Sequence, residues 1–180
     1  MCTIYTGDDE RMDEMPPLQI AVIGAASCDD ETGRVAEDTG RLIARAGATL
    51  ICGGRGGVME AACRGAVGAG GVTVGILPGD VCEANPFCTV TIPTGLGIAR
   101  NAVVVSAAGG VIAVGGAYGT LSEIAIALKL GRPVYGIHTW EIPGVVSCGC
   151  AKEAVIRAVR AAGAGKGTIA GYAVERGECR

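Results

Sequence analysis

Aromatic side chains are scarce in this 180-residue sequence: Phe, Trp and Tyr together make up 3%. The 15 Lys and Arg residues are scattered, and the net charge is −3. A nucleic-acid surface needs a basic patch or a stacking platform, so no nucleic-acid partner is expected. Long apolar runs are missing too. Stretches such as "GVIAVGG" at 110–116 fall far short of the roughly 20 residues that cross a bilayer, so no membrane partner is expected. The start, "MCTIYTGDDERMDEMPP", is acidic and polar. It lacks the basic-then-apolar order of a secretion signal, which predicts a cytoplasmic protein.

Histidine occurs once, at His138, with no ligand cluster or triad around it. There is no Gly-x-Ser-x-Gly elbow, and no Gly-Lys-Ser/Thr follows the glycine loops. Neither Ser-His-Asp hydrolysis nor ATP hydrolysis is therefore supported. The nine cysteines contain a single close pair, Cys148-Gly149-Cys150, without the second pair of a structural zinc site. No metal is expected, and the thiols read as small buried hydrophobes kept reduced.

Glycine, by contrast, is abundant: 31 of 180 residues, against a usual share of about 7%. The glycines follow no triplet period and fall at the ends of apolar runs. With 49% apolar and 18% charged residues, the chain can bury a substantial core as one domain. We divide it into an acidic leader at 1–17, a single domain at 18–165 and a tail at 166–180. Within the domain, apolar runs closed by glycine predict strands at 18–24, 48–54, 71–79, 110–116 and 133–137, with a minor one at 88–93. Helical spacing predicts helices at 34–46, 57–69, 96–107, 119–130 and 151–162. Strict alternation of this kind gives an α/β fold, a Rossmann-like parallel sheet with helices on both faces. Ligands of such sheets sit beyond the carboxyl ends of the strands. The helices at 57–69 and 96–107 are rich in small apolar residues, which predicts burial on two sides and a homodimer or higher homo-oligomer.

Four glycine-bearing loops lie at those strand ends. Gly24 and Ser27 follow the first strand. Gly53, Gly54, Arg55, Gly56 and Gly57 precede a helix, where bare amides and an arginine can hold a phosphate. Thr94 and Gly95 open the segment that carries Arg100 and Asn101. An arginine on an early helical turn opposes the helix dipole, which is understandable if it meets an anion or a carboxylate. In "GGAYGTLSE", Gly116, Tyr118, Gly119 and Thr120 lead to Glu123. Glu123 stands three residues after Thr120, so it reads either as the partner of a capping box or as a carboxylate facing a ligand. The ligand these loops suit is a phosphorylated small molecule.

Gly119-Thr120-x-x-Glu123, with Arg100 upstream, resembles the Gly-Thr-x-x-Glu segment of the Lonely guy family, whose members were long misnamed lysine decarboxylases, and of its wider Rossmann-like superfamily. The resemblance covers about 18–137. It implies that Arg100 and Glu123 form a catalytic pair. It also implies a homodimer that needs no cofactor and hydrolyses the N-glycosidic bond of a nucleoside 5′-monophosphate. The products would be a free base and ribose 5-phosphate. Three positions depart from that family. Gly115-Gly116-Ala117 stands where it has Pro-Gly-Gly, Asn101 replaces a lysine, and Gly109 replaces an acidic residue.

The segments "GGRGGVMEAACRGAVGAGGVTVGILPG", "TGLG" and "EIAIALKLGRPV" are also similar to the molybdenum cofactor carrier proteins of the same superfamily. That resemblance implies the alternative function: a non-catalytic carrier that holds molybdopterin by its terminal phosphate and does not use Glu123 as a catalyst. Those carriers often lack the intact Tyr-Gly-Thr-x-x-Glu that this chain keeps. The hydrolase is thus the first expectation and the carrier the second.

Overall fold

The computed structural model describes residues 17–164; the leader and tail read from the sequence lie almost wholly outside them. Seven strands form one sheet: β1 (Gln19–Gly24), β2 (Thr49–Cys52), β3 (Thr73–Leu77), β4 (Val90–Pro93), β5 (Gly110–Val114), β6 (Val134–Ile137) and β7 (Val145–Ser147). Their order is β4-β3-β2-β1-β5-β6-β7, and every pairing is parallel. The chain winds outward from β1 to one edge, then returns to place β5 on the other side of β1. That reversal leaves a crevice at the carboxyl ends of the strands, where such sheets bind ligands.

Helices α1 (Asp30–Arg45), α2 (Val58–Gly68) and α5 (Ala151–Ala164) cover one face, and α3 (Arg100–Ser106) and α4 (Tyr118–Lys129) the other. Alternate side chains of each central strand therefore enter two cores. Ile20 and Val22 meet α1, α2 and α5, whereas Ala21 and Ile23 face α3 and α4. Burial on both faces explains why these strands read as unbroken apolar runs. No helix among the described residues is long and apolar enough to cross a membrane.

Three elements differ from the sequence reading. Helix α1 starts at Asp30, inside a stretch that reads as a polar loop, because the Asp29 side chain accepts the Thr32 N–H at 2.8 Å. The helix expected at 96–107 is a 3-10 turn, Gly97–Ala99, followed by α3. Strand β7 has one half-buried residue, Val145, and two exposed ones, Val146 and Ser147, and no apolar run to announce it. The thiols also depart from one expectation. Cys28, Cys52, Cys63, Cys82, Cys88 and Cys148 are free, but Cys150 is disulfide-bonded.

Helix α2 does not offer a second apolar face to a partner, contrary to expectation. Its small residues serve contact with α1 in the same chain. A β-carbon on Gly40 would lie 1.9 Å from the Ala62 carbonyl oxygen, and one on Gly65 would lie 1.9 Å from that of Glu37. The helix backbones touch because neither glycine has a side chain. On the exposed flank Arg64 donates twice to Glu37, at 2.8 and 3.0 Å. Since backbone cannot retreat as a flexible side chain can, Gly65→Ala should destabilise the fold by about 1–3 kcal/mol, read from the shift of the urea unfolding curve.

Candidate functional site

The loops after β2, β3 and β4 and the starts of α3 and α4 converge at the carboxyl edge of the sheet. At their centre is Arg100, the first residue of α3, which is 8% exposed. Its guanidinium lies flat on the backbone of Gly53: a β-carbon there would fall 2.1–2.5 Å from Nη1, Nη2 and Cζ. Glycine at 53 is thus a seat for arginine. Nη1 stands 3.6 Å from Oε1 of Glu123, on α4. This is an ion pair, but longer than a hydrogen bond. Among the described residues, Nε and Nη1 of Arg100 are buried without any hydrogen bond.

Burial dominates the electrostatics of the pair. It pushes the Glu123 carboxyl up from 4.5 to about 7, opposed by the positive charge of Arg100. It also pulls Arg100 below its ordinary value, opposed by Glu123. The capping-box reading of Glu123 does not hold. Helix α4 is capped at Ala117, whose N–H reaches Thr120 Oγ1 at 3.4 Å, and Glu123 turns instead to Arg100.

Arg100 opens onto a cleft of about 570 Å³, lined by Arg55, Pro78, Gly79, Glu83, Ile98, Asn101 and Gly119 among others. Arg55 and Glu83 pair at 3.8 Å across it. Glu123, 5% exposed, lies behind Arg100 and does not line the cleft. Residues outside the sequence-predicted set hold the walls. Asn85 donates from Nδ2 to the carbonyls of Gly54 and Arg55 at 3.1 and 3.0 Å, which fixes the β2 loop. Asn101 donates to Ser122 Oγ at 2.9 Å, and Ser122 donates to the Gly119 carbonyl at 2.7 Å. The Asn-Pro dipeptide at 85–86 signals a turn, but nothing local points to its distant loop partner.

Of the residues predicted for one site, the fold gathers Gly53, Arg55, Arg100 and Gly119 about the cleft, with Glu123 beneath. Gly24 is elsewhere in role: a β-carbon on it would meet the Val58 side chain at 2.4 Å, so it permits a strand–helix contact. Gly56 and Gly57 pack under the exposed 25–27 loop that holds Ser27; the β-carbon positions are 3.2 Å from the Ala26 oxygen and 2.5 Å from the Ala25 oxygen. The Val58 N–H, first of α2, donates to that Ala25 oxygen at 3.1 Å, and Gly54 N–H is drawn to Cys52 Sγ at 3.3 Å. One amide of the expected phosphate seat, that of Gly54, is thereby occupied, as is that of Val58 just after it. Thr94 ties β4 to β3 by donating to the Leu77 carbonyl at 2.7 Å, and Gly95, at φ 64°, turns the chain. Gly116 packs on the buried Thr120. Tyr118 is 84% exposed. His138 and Trp140 line a separate cleft.

A seven-stranded parallel sheet with helices on both faces and a buried arginine–carboxylate pair at its carboxyl edge makes this a Rossmann-like α/β protein. The chain belongs to the SLOG cluster4 family, whose model matches residues 17–168. It lies within the Lonely guy-like superfamily that also holds the molybdenum cofactor carriers. It is similar to the molybdenum cofactor binding protein of Rippkaea orientalis, at 34% identity over 82% of this chain and 98% of that one, with a TM-score of 0.76. The molybdenum cofactor carrier protein of Chlamydomonas reinhardtii is 31% identical over 81% and 98% of the two chains, with a TM-score of 0.75. An uncharacterized protein of Archaeoglobus fulgidus is 52% identical over 120 residues, 67% of this chain and 80% of its own.

Glu123 makes stability depend on pH. Its folded value of about 7 exceeds its ordinary 4.5, so between the two the folded chain binds more protons than the unfolded one. Stability then falls as pH rises. Relative to Glu123→Gln, wild type should lose about 3 kcal/mol as pH rises through this window, as measured by urea unfolding at successive pH values. Arg100→Met removes the opposing cation, and the Glu123 midpoint in carboxyl-carbon NMR should move above that of wild type.

Proposed function

We propose that this chain is a binding protein for a phosphorylated pterin of the molybdenum-cofactor type, held in the Arg100 cleft and released unchanged. One observation carries the reading. Arg100 is a buried cation with hydrogen bonds left unmade, at a cleft large enough for a small ligand. Unmade bonds on a buried charge are costly, and an anionic oxygen brought to the cleft side of the guanidinium offsets that cost with strong, charge-assisted hydrogen bonds. A terminal phosphate supplies that oxygen. Glu83 across the cleft offers an acceptor for the N–H edge of a pterin. The relatives that bind or carry the molybdenum cofactor favour this ligand over other phosphates.

The Gly119-Thr120-x-x-Glu123 match and the Arg100–Glu123 pair favour a second reading, phosphoribohydrolysis of a nucleoside 5′-monophosphate. In that reaction Glu123 must reach the ribose to stabilise charge or activate water. Its place behind Arg100 supports the carrier instead. We also propose a homodimer, in the cytoplasm, built on the edge beside β4. Val90 and Ile92 share one face of that strand and are exposed, as are Leu96 and Ile98, the last by 79%. Such a strip is suited to a second copy.

Full-length protein purified from cells that make the cofactor should retain a pterin, quantified by fluorescence after oxidation. Arg100→Met should lose it, whereas Glu123→Gln should keep the affinity within about tenfold, about 1.4 kcal/mol. Folded protein free of pterin, together with Glu123-dependent release of base from a nucleoside 5′-monophosphate, would overturn the carrier reading in favour of the hydrolase. In sedimentation, wild type should run as a dimer and Ile98→Glu as a monomer.

A further inference from the structure

Cys52, Cys63 and Cys88 are brought together from three parts of the chain: the end of β2, the middle of α2 and the segment before β4. Their sulfurs all lie within 4.8 Å of one another, and Cys52 and Cys63 approach to 3.4 Å. Cys52 and Cys63 are fully buried and Cys88 partly so. The surroundings fit the cluster. A β-carbon on Gly75 would fall 2.6 Å from Cys88 Sγ, so glycine there makes the room that Cys88 fills. The turn that carries Cys88 is fixed by Phe87 N–H to Asn85 Oδ1 at 3.0 Å and Cys88 N–H to the Asn85 carbonyl at 3.2 Å. Negative sulfur is favoured on one side by the Gly54 N–H at 3.3 Å from Cys52 Sγ. On another side it is favoured by the Arg100 guanidinium, seated on the adjoining Gly53.

We propose that these three sulfurs form a trigonal binding site for a soft monovalent cation, copper(I). Three sulfurs about 2.3 Å from a central ion in their own plane stand roughly 4 Å apart, within the span observed here. Thiolate sulfur selects soft ions. Among the described residues the cluster has three members, whereas structural zinc takes four ligands in a tetrahedron. The Asn85 amide beside the cluster is engaged, with Nδ2 on the Gly54 and Arg55 carbonyls and Oδ1 on Phe87 N–H. Three sulfurs, with no fourth ligand in the cluster among the described residues, suit a three-coordinate d10 ion. On binding, sulfur–copper bonds form, the thiol protons pass to solvent, and the metal keeps its oxidation state. Cys52 directly precedes Gly53, so the ion would brace the loop that seats Arg100. The site is independent of which ligand occupies the cleft.

The test is an anaerobic copper(I) titration of the full chain against a chromophoric copper(I) chelator, beside a parallel zinc(II) titration. Wild type should hold one equivalent of copper(I) against the chelator, and the triple variant Cys28→Ser, Cys82→Ser, Cys148→Ser should do the same. Losing an outer-shell partner alone costs a metal site about 10–100-fold, so Cys88→Ser should weaken the site by about a hundredfold or more. Mass-mapped alkylation of wild type in mild urea provides a second readout that needs no variant: copper(I) should protect Cys52, Cys63 and Cys88. Unchanged affinity in Cys88→Ser, protection confined to other cysteines, preference for zinc(II), or a Cys52–Cys63 disulfide that forms despite copper(I) would overturn the proposal.

Discussion

The carboxyl edge of this sheet depends on one contact, the Arg100 guanidinium lying on the backbone of Gly53. A planar cation can rest there only because no β-carbon stands in its way. The contact fixes the start of α3 to the end of β2, two elements separated by β3 and β4 in sequence. It also dictates what surrounds it. A buried guanidinium needs a counter-charge, and α4 supplies Glu123 at 3.6 Å. It needs loops that do not drift, and Asn85 and the Asn101–Ser122–Gly119 relay hold them. Desolvating two opposite charges costs more than a pair at this distance returns, so the arrangement persists through the packing around it and not through its own attraction.

The same physics decides what was legible in the sequence. Five strands announce themselves as apolar runs because helices cover both faces of the sheet, and β4 shows as a minor run. Strand β7 is short, mostly exposed and at the edge, so it leaves no such trace. The start of α1 is hidden because Asp29 and Asp30 look like loop residues until the cap is seen. Arg100 and Glu123 stand out as charges placed early in helices beside glycines. The glycines themselves are ambiguous. Gly24 and Gly53 both end apolar strands, yet one yields to Val58 and the other to Arg100. Sequence shows that a side chain is missing, not what fills the space. Glu83, Asn85 and Ser122 stayed hidden for a related reason: their roles arise between loops that meet only in the fold.

The arginine–carboxylate pair has a consequence that bears on binding and release. Glu123 is held near neutrality by two opposed effects, burial raising its value and Arg100 lowering it. A phosphate brought to Arg100 adds negative charge beside the carboxylate and shares the cation that had stabilised it. Both changes favour the protonated acid. For the proposed phosphate ligand, binding and proton uptake at Glu123 would therefore be linked, and linkage is reciprocal: protonation would strengthen phosphate binding, and deprotonation would weaken it. For a catalyst that needs an ionised carboxylate near the ribose, this coupling is a handicap, because substrate would neutralise the group meant to act on it. For a protein that must hold a phosphorylated ligand and then release it, the coupling is useful. A small change in the surroundings of Glu123 shifts the affinity without a rearrangement of the sheet. A cation over an acid thus suits retention and release at least as well as bond cleavage, and the buried position of Glu123 is what favours the proposed carrier reading here.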